Sequence, residues 1–345
     1  MSNKNQSDSA PLFVDNTLLS AMDCDTKALM RHAFGYAATT EAPRLRAGQA
    51  AHKAVEYVLR GGSALGALEI FRDDYCAWAD VQGIDPDDAV GSRSTADIIA
   101  AYLEDFRVAD LPLRVEPALV EVGFQVPLVE DGRIVFCGRC DLIGQHKSDG
   151  GWYVWENKFT TRVHDGYMDA YRLNSQVFGY VWAAEQTLGV PVRGAYINAV
   201  QLFTPLPGSE RKCVKHAVKF TECRSLHVVQ QVRAYLPPTE HLAAWHRTAV
   251  RLASEYRELC TAFQDVSAIA GAPQQGLFRR ACRWCQYKTW CESGRPLWAV
   301  DSVFTKEPWE PFPRARHASC DVDRAAGTTG LLSVNEESRK ETLWS

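Results

Sequence analysis

Three cysteines close together near the C-terminus constrain the fold of this chain more than any other feature. They follow the spacing Cys282-x2-Cys285-x5-Cys291. Thiols packed this closely in sequence are typical of a metal site, and such a site needs a fourth ligand. Cys24 is the candidate for that ligand. If Cys24 is the fourth ligand, the N-terminal and C-terminal parts of the chain must meet in space.

The cysteine count favours metal ligation over disulfide bonds. The chain has 11 cysteines among 345 residues, and an odd number leaves at least one unpaired. Its polar N-terminus lacks the apolar stretch of a secretion signal, so we predict a cytoplasmic protein in a reducing compartment, where structural disulfides are rare. No run of about 18 apolar residues occurs, so we predict no transmembrane helix and no membrane partner.

Two kinds of metal group suit four thiolates, and the residues leave both open. Structural Zn²⁺ sites more often use two close cysteine pairs, whereas three close cysteines with a remote fourth favour a [4Fe–4S] cluster. Either group would join the N-terminal helices to the C-terminal segment. A second motif, Cys137-x2-Cys140, falls within a predicted strand. Its thiols would point to opposite faces, so we expect one core and one surface thiol rather than a metal site.

The hydrophobic periodicity predicts a mixed α/β domain. Helical patterns cover residues 15–36, 44–59, 64–79, 94–106, 168–188 and 238–270. Strand patterns cover residues 120–126, 133–146, 151–159, 194–203 and 213–221. This order predicts one domain over residues 13–300, with helices flanking a central mixed sheet. Residues 1–12 are predicted to form a disordered leader, and the Pro-, Ser- and charge-rich residues 301–345 a mostly disordered tail.

Two adjacent predicted strands carry the main chemical signal. With a two-residue hairpin loop at 149–150, Asp141 falls opposite Lys158. Glu156 lies two residues before Lys158 and shares its face of the strand. Two neighbouring carboxylates can hold a divalent cation, and an adjacent ammonium can orient an attacking water and counter charge on a phosphoryl group. An ordinary surface Glu–Lys pair explains the same short pattern.

Two predicted helices carry further candidates. His52 lies on the apolar stripe of helix 44–59 and points inward, so it is either a satisfied core histidine or a nitrogen ligand that would favour Mn²⁺ as well as Mg²⁺. Gln176 and Tyr180 are four residues apart on helix 168–188 and share a face. They suit a single nucleic-acid strand, with the amide on the backbone and the ring on a base. The alternative is a partly buried tyrosine beside a solvated glutamine.

Taken together, these motifs resemble the RecB-like branch of the PD-(D/E)XK nucleases. The elements that match, in family order, are Cys24, His52, Asp141, Glu156-x-Lys158, Gln176-x3-Tyr180 and the cysteine triplet. They cover about residues 18–293 and are most similar to the iron–sulfur exonucleases, including CRISPR-associated RecB-like exonucleases and AddB-type nuclease domains. No single motif is specific, but six in the same order rarely agree by chance. One departure is Gly138-Arg139-Cys140-Asp141, where the family often has Gly-x-Ile-Asp.

This resemblance implies a restriction-endonuclease-like fold and assigns a role to each candidate. The implied ligands of a catalytic Mg²⁺ or Mn²⁺ are His52, Asp141, Glu156 and the backbone carbonyl of Asn157. The implied catalytic lysine is Lys158, which acts with Asp141 and Glu156. The implied DNA contacts are Gln176 and Tyr180. The implied [4Fe–4S] ligands are Cys24, Cys282, Cys285 and Cys291.

The resemblance therefore predicts a metal-dependent exonuclease that acts on single-stranded DNA or DNA ends in recombination, repair, phage or CRISPR-type processing. The net charge of −4 neither favours nor excludes a nucleic-acid partner. No G-x4-G-K-[ST] motif is present, so unwinding would need a helicase partner. One alternative is a non-catalytic DNA-end-binding subunit, which need not keep all four of the His, Asp, Glu and Lys. Another is an iron–sulfur redox protein, although no flavin or nicotinamide fingerprint accompanies the cysteines.

Overall fold

The computed structural model describes residues 10–39, 41–84, 95–202, 228–276 and 281–311 of the chain. The strands are β1 (Leu12–Val14), β2 (Tyr36–Ala38), β3 (Val120–Pro127), β4 (Ile134–Gln145), β5 (Trp152–Thr160), β6 (Val192–Gln201), β7 (Val229–Tyr235) and β8 (Phe304–Lys306). The helices are α1 (Asn16–Ala21), α2 (Asp25–Ala28), α3 (Pro43–Leu59), α4 (Ala64–Phe71), α5 (Ala77–Val81), α6 (Thr95–Asp105), α7 (Asp165–Asp169), α8 (Ser175–Leu188), α9 (Thr239–Ala262), Lys288–Glu292 and Val300–Val303. None of these helices is long and apolar enough to cross a membrane.

A six-stranded mixed sheet forms the centre of the described structure, in the order β1-β4-β5-β6-β7 with β3 also paired to β4. β4 is parallel to β1 and antiparallel to β3 and β5, while β5 is parallel to β6 and β6 antiparallel to β7. β3 takes one edge of β4. β1 and β5 share the other edge, with β1 along the first residues of β4 and β5 along its last. The predicted central mixed sheet is confirmed.

Helices cover both faces of this sheet and enclose two apolar clusters. On one face, α3, α4 and α6 pack over sheet residues that include Leu142 and Trp155. On the other face, α8 and α9 pack over residues that include Val154 and Ile197. Because both faces are covered, Cys137 and Cys140 are both fully buried, and the prediction that one of them is a surface thiol is wrong.

α3 and α8 bring candidate residues to the sheet, and local sequence features explain why each of these two helices forms. α3 begins with proline at its first turn and buries the small residues Ala47, Ala50, Ala51 and Ala54, which favour helix and allow close approach to the sheet. α8 begins at Asn174, whose side chain accepts the N–H groups of Gln176 and Val177. It ends at Gly189, which adopts φ 67°.

Three predicted helices differ from the structure. Helix 168–188 is interrupted, because the Asn174 cap starts α8 afresh after a 3-10 turn at Ala170–Leu173. Helix 15–36 is divided into α1, α2, a π-helical turn at Leu29–Ala33 and β2. Helix 238–270 ends at Ala262, and a separate 3-10 helix follows, capped by the Asp265 side chain. The remaining helices, 44–59, 64–79 and 94–106, match α3, α4 with α5, and α6.

The predicted strands are mostly reproduced where the structure describes them. β3, β4, β5 and β6 match the predictions, whereas β7 was not predicted and predicted strand 213–221 lies outside the described residues. β1 begins at Leu12, the last residue of the predicted leader. The predicted tail is ordered at its start, since β8 pairs antiparallel with β2. Residues 312–345 lie outside the described residues.

Candidate active site and cysteine centre

The candidate active site lies where β4 and β5 separate. Their pairing ends at Leu142 and Trp155, and the next residues on the two strands are Asp141 and Glu156. The predicted register, which put Asp141 opposite Lys158, is therefore wrong. The hairpin loop has four residues rather than two, because the N–H of His146 bonds the Gly151 carbonyl at 2.8 Å and Gly150 adopts φ 67° between them.

Asp141 is buried at this fork and makes its contacts with side chains and backbone from other elements. Its Oδ2 accepts the Asn157 N–H at 2.6 Å and lies 3.4 Å from Nδ1 of His52 on α3. The His52 ring packs edge-on against Phe159, with ring centroids 5.1 Å apart. Burial opposes ionisation of Asp141, but the charge and hydrogen bond of His52, together with the Lys158 ammonium, hold its pKa below the usual value.

Glu156, Lys158 and Gln176 form a second group of contacts beside Asp141. Lys158 Nζ donates to Glu156 Oε2 at 2.9 Å and to Gln176 Oε1 at 3.0 Å, while Gln176 Nε2 lies 3.4 Å from Glu156 Oε2. Burial raises the pKa of Glu156 to about 7 against the opposing Lys158 charge. Burial also disfavours the Lys158 cation, but the charges of Glu156 and Asp141 outweigh it and raise the pKa of Lys158. The predicted convergence of these residues is present.

Glu121 on β3 also reaches the fork, and sequence reasoning missed it. Ligand atoms of Glu121, His52 and Asp141 lie within 4.8 Å of one another. The Glu121 side chain is buried and pairs with Arg139 Nε at 2.6 Å. Burial and the Asp141 charge raise the pKa of Glu121 to about 9, although Arg139 opposes the rise. The carboxyl groups of Glu121 and Asp141 therefore lie close enough together for the charge of one to disfavour ionisation of the other.

A local irregularity of the two strands brings Glu121 and Asp141 together. The β3 residues on either side of Glu121 pair with Leu142 and Cys140, which puts Glu121 opposite Asp141. Cys140 and Leu142 belong to different apolar clusters, although residues two apart on a regular strand share a face. Glu121 itself adopts φ 54°, a left-handed conformation that is rare for glutamate and is often found at functional sites. The sequence signal is a glutamate facing Asp141 across a short β3–β4 hairpin.

The donor set at the fork fits a divalent cation. Carboxylate oxygens are the ligands of Mg²⁺, and an imidazole nitrogen extends the choice to Mn²⁺. The His52, Glu121 and Asp141 group could bind a metal. The Asn157 N–H points towards Asp141, and its carbonyl oxygen lies on the same side of the strand, as in any extended residue. His52, Glu121 and Asp141 therefore offer nitrogen and oxygen donors around one position, and Glu156, bonded to Lys158, lies beside them.

Tyr180 shares the Gln176 face of α8 but is anchored in the protein. Its ring packs edge-on against Phe124, with centroids 5.5 Å apart, and is partly buried against the apolar cluster under α8. Burial raises the pKa of Tyr180 well above its usual value, and the neighbouring Gln176 side chain opposes that rise. Gln176 is bonded to Lys158 rather than solvated. A contact of either side chain with DNA stays a prediction.

The comparison with known families identifies the superfamily of this fold. A family model described as the PD-(D/E)XK nuclease superfamily matches residues 17–292. The chain belongs to the PD-(D/E)XK nuclease superfamily. Its mixed sheet with flanking helices is consistent with the restriction-endonuclease-like fold of that superfamily, and membership implies a nuclease. Members of the superfamily typically use Mg²⁺ or Mn²⁺, and a nuclease binds nucleic acid.

A solved structure described as "Crystal structure of SSO0001" is similar at 14% sequence identity and a TM-score of 0.33, and the match covers 82% of this chain and 86% of that chain. The search of curated proteins found no match.

The superfamily domain also brings the four predicted thiols together. Cys24, Cys282, Cys285 and Cys291 line one cavity of about 150 Å³. Gly276 lies against it, and a Cβ at that position would lie 3.2 Å from the Cys282 sulfur, so glycine permits this close approach. Burial raises the pKa of Cys291 to about 11, and the neighbouring thiols contribute to the rise. The predicted meeting of the two chain ends is thus present.

Other bonds hold the two ends together beside the thiols. The Asp25 N–H donates to Gln275 Oε1 at 3.0 Å, and Gln275 Nε2 donates to Asp25 Oδ2 at 2.6 Å. The Tyr287 hydroxyl donates to the Tyr36 carbonyl at 2.6 Å, next to the β2–β8 pair. The junction between the chain ends therefore has its own hydrogen bonds, independent of any group in the cavity.

Proposed function

We propose that this chain is a divalent-metal-dependent exonuclease of the RecB-like iron–sulfur branch, cleaving single-stranded DNA or DNA ends. The observation that carries the proposal is the fork of β4 and β5, where Asp141, Glu156 and His52 gather beside Lys158. We place this activity in the cytoplasm, in recombination, repair or CRISPR-type processing, with a separate helicase where duplex must be unwound.

The fork supplies each function that phosphodiester hydrolysis needs from the protein. Its proposed metal ligands are His52, Asp141, Glu156, the Asn157 carbonyl and Glu121, of which Glu121 is added on the basis of its position. A bound divalent cation would acidify a water and offset charge on the phosphate. The Asn157 N–H and His52 hold the Asp141 carboxylate in place before substrate arrives.

Lys158 is proposed to act on the reacting groups rather than to stabilise the fold. Glu156 and Gln176 hold its ammonium from two directions, at 2.9 and 3.0 Å, which fixes where its remaining donor points. A fixed ammonium in a buried site stabilises charge that develops on a phosphoryl oxygen, because little water competes with it. Gln176 is therefore proposed as the residue that orients Lys158, in addition to any contact it makes with DNA.

A substrate comparison tests the proposed activity. Purified protein should degrade end-labelled linear single-stranded DNA with Mg²⁺ or Mn²⁺ and should spare a circular single strand of the same sequence. EDTA should stop the reaction. Cleavage of the circle would make the enzyme an endonuclease. Binding of linear DNA without any cleavage under either metal would contradict the proposal and favour the DNA-end-binding subunit.

We propose that the cysteine cavity holds a [4Fe–4S] cluster with a structural role. A single tetrahedral Zn²⁺ with Zn–S bonds of about 2.3 Å would hold its sulfurs about 3.8 Å apart. Among the described residues, no three of the four sulfur atoms lie within 4.8 Å of one another. The four thiols nevertheless line one cavity. This wider spacing supports a group larger than one ion.

Tyr180 provides a prediction about DNA binding. Changing Tyr180 to Ala should weaken single-strand affinity about 5- to 150-fold, because stacking of a base on an aromatic ring contributes about 1–3 kcal/mol. Changing it to Phe keeps the ring and should cost much less. Affinity measured with EDTA, alongside the melting temperature, checks both variants. Since the ring packs on Phe124, a lower melting temperature with unchanged affinity would show that Tyr180 serves only the core.

A further inference from the structure

Asn198 is a fully buried amide in the middle of β6, between Ile197 and Ala199. Burying an amide group without hydrogen bonds is unfavourable, so the hydrogen bonds of Asn198 account for its place in the core. Its Nδ2 donates to the Tyr102 hydroxyl at 3.0 Å and to Asn157 Oδ1 at 2.9 Å, and its Oδ1 accepts from Gln230 Nε2 at 2.7 Å. Both donor hydrogens are thus used.

Asn157 is hydrogen-bonded on both sides, to Asn198 on β6 and to Asp141 on β4. It lies directly beside Asn198 in the parallel β5–β6 register, and its Oδ1 also accepts the Trp155 indole N–H at 3.0 Å. On the opposite edge of the strand, its backbone N–H donates to the Asp141 carboxylate at 2.6 Å. The side chain of Asn157 therefore belongs to a buried polar network, while its backbone belongs to the fork.

We propose that Asn198 is a positioning residue of the active site. Its bond to Asn157 sets the direction of the Asn157 N–H and carbonyl, and through that N–H it sets the Asp141 carboxylate. Asn157 also separates Glu156 from Lys158, so rotation of its peptide groups would displace both side chains. This inference rests on the proposed function, since it concerns how the same fork holds its cation.

A role limited to stability would give a different result. If Asn198 only satisfies its neighbours, its loss lowers the melting temperature and leaves cation binding unchanged. If it positions Asn157, its loss weakens cation binding about 10- to 100-fold, the range typical of residues that orient metal ligands. Gln230 bonds the same amide from the side away from Asn157 and is exposed, so it offers a matched control.

The test measures Mn²⁺ binding without DNA, by the paramagnetic resonance signal of free Mn²⁺, together with melting temperature and the Mn²⁺ dependence of cleavage. Asn198→Leu keeps the number and branching of the side-chain heavy atoms and removes all three bonds. Asn198→Asp keeps the acceptor for Gln230 and loses the donor to Asn157. This variant replaces Asn198→Leu in the test if the leucine variant does not fold. Both should weaken Mn²⁺ binding at least about 10-fold, whereas Gln230→Ala should change it less than about 2-fold.

Two controls separate the possible failures. Ile134→Ala removes buried apolar volume at the far end of β4 and should lower the melting temperature without changing Mn²⁺ affinity. Asn198 variants that behave like Ile134→Ala would overturn the positioning role. Wild-type protein that neither binds Mn²⁺ nor cleaves DNA would instead contradict the proposed function itself.

Discussion

Replacing Lys158 by methionine is expected to reduce DNA cleavage about 100- to 1,000-fold without loss of DNA or Mn²⁺ binding. Methionine keeps most of the stem but removes the ammonium that Glu156 and Gln176 hold. Loss of one fixed donor that stabilises transition-state charge has an effect of this size. Single-turnover cleavage and separate binding measurements check the prediction. Asp141→Asn should reduce cleavage at least as much, but by weakening cation binding.

The matched control is Lys147→Met, the same substitution in the exposed turn at the other end of the β4–β5 hairpin. It should leave cleavage and binding unchanged. Near-wild-type cleavage by Lys158→Met would place the chemistry elsewhere in the chain. Equal loss of Mn²⁺ binding in Lys158→Met and Asp141→Asn would show that Lys158 serves to assemble the site, not to act on the reaction.

Anaerobically purified protein is expected to be brown, with broad visible absorption and about four irons per chain, as a [4Fe–4S] cluster requires. Cys282→Ser, Cys285→Ser or Cys291→Ser should bleach it, because each removes one thiolate of the proposed cluster. The melting temperature should fall by roughly 5–10 °C, since loss of a bound group that joins distant segments costs a few kcal/mol. Iron analysis and thermal unfolding on the same samples check both expectations.

Cys260→Ser is the control for this series, because Cys260 is a partly buried thiol on α9 that does not line the cavity. It should retain full colour. Stoichiometric zinc without iron, in protein expressed with iron supplied, would rule out the cluster and leave a zinc site joining the chain ends. The bleached variants should stay folded, because Asp25, Gln275, Tyr36 and Tyr287 still bond the two ends.

Much of the fold could be predicted because its elements have strong local patterns. α3 and strands β3 to β6 appear where the periodicity places them, and the parallel step from β5 to β6 follows from the intervening helix. The failures lie where a side-chain cap or a turn overrides periodicity. Asn174 restarts a helix that the apolar spacing would continue, and the four-residue turn ending at Gly150 shifts the predicted pairing.

The sequence alone determined the residues whose spacing along one element places them together. Glu156 and Lys158 alternate on one strand, Gln176 and Tyr180 lie one turn apart, and the C-terminal thiols fall within ten residues. Tertiary structure decided the rest. Glu121 faces Asp141 only through the β3–β4 register, and Asn198 reaches Asn157 only because β6 lies parallel to β5. Those contacts depend on which strands become neighbours and in what register, and strand pairing is set by packing of the whole sheet, which no local spacing encodes.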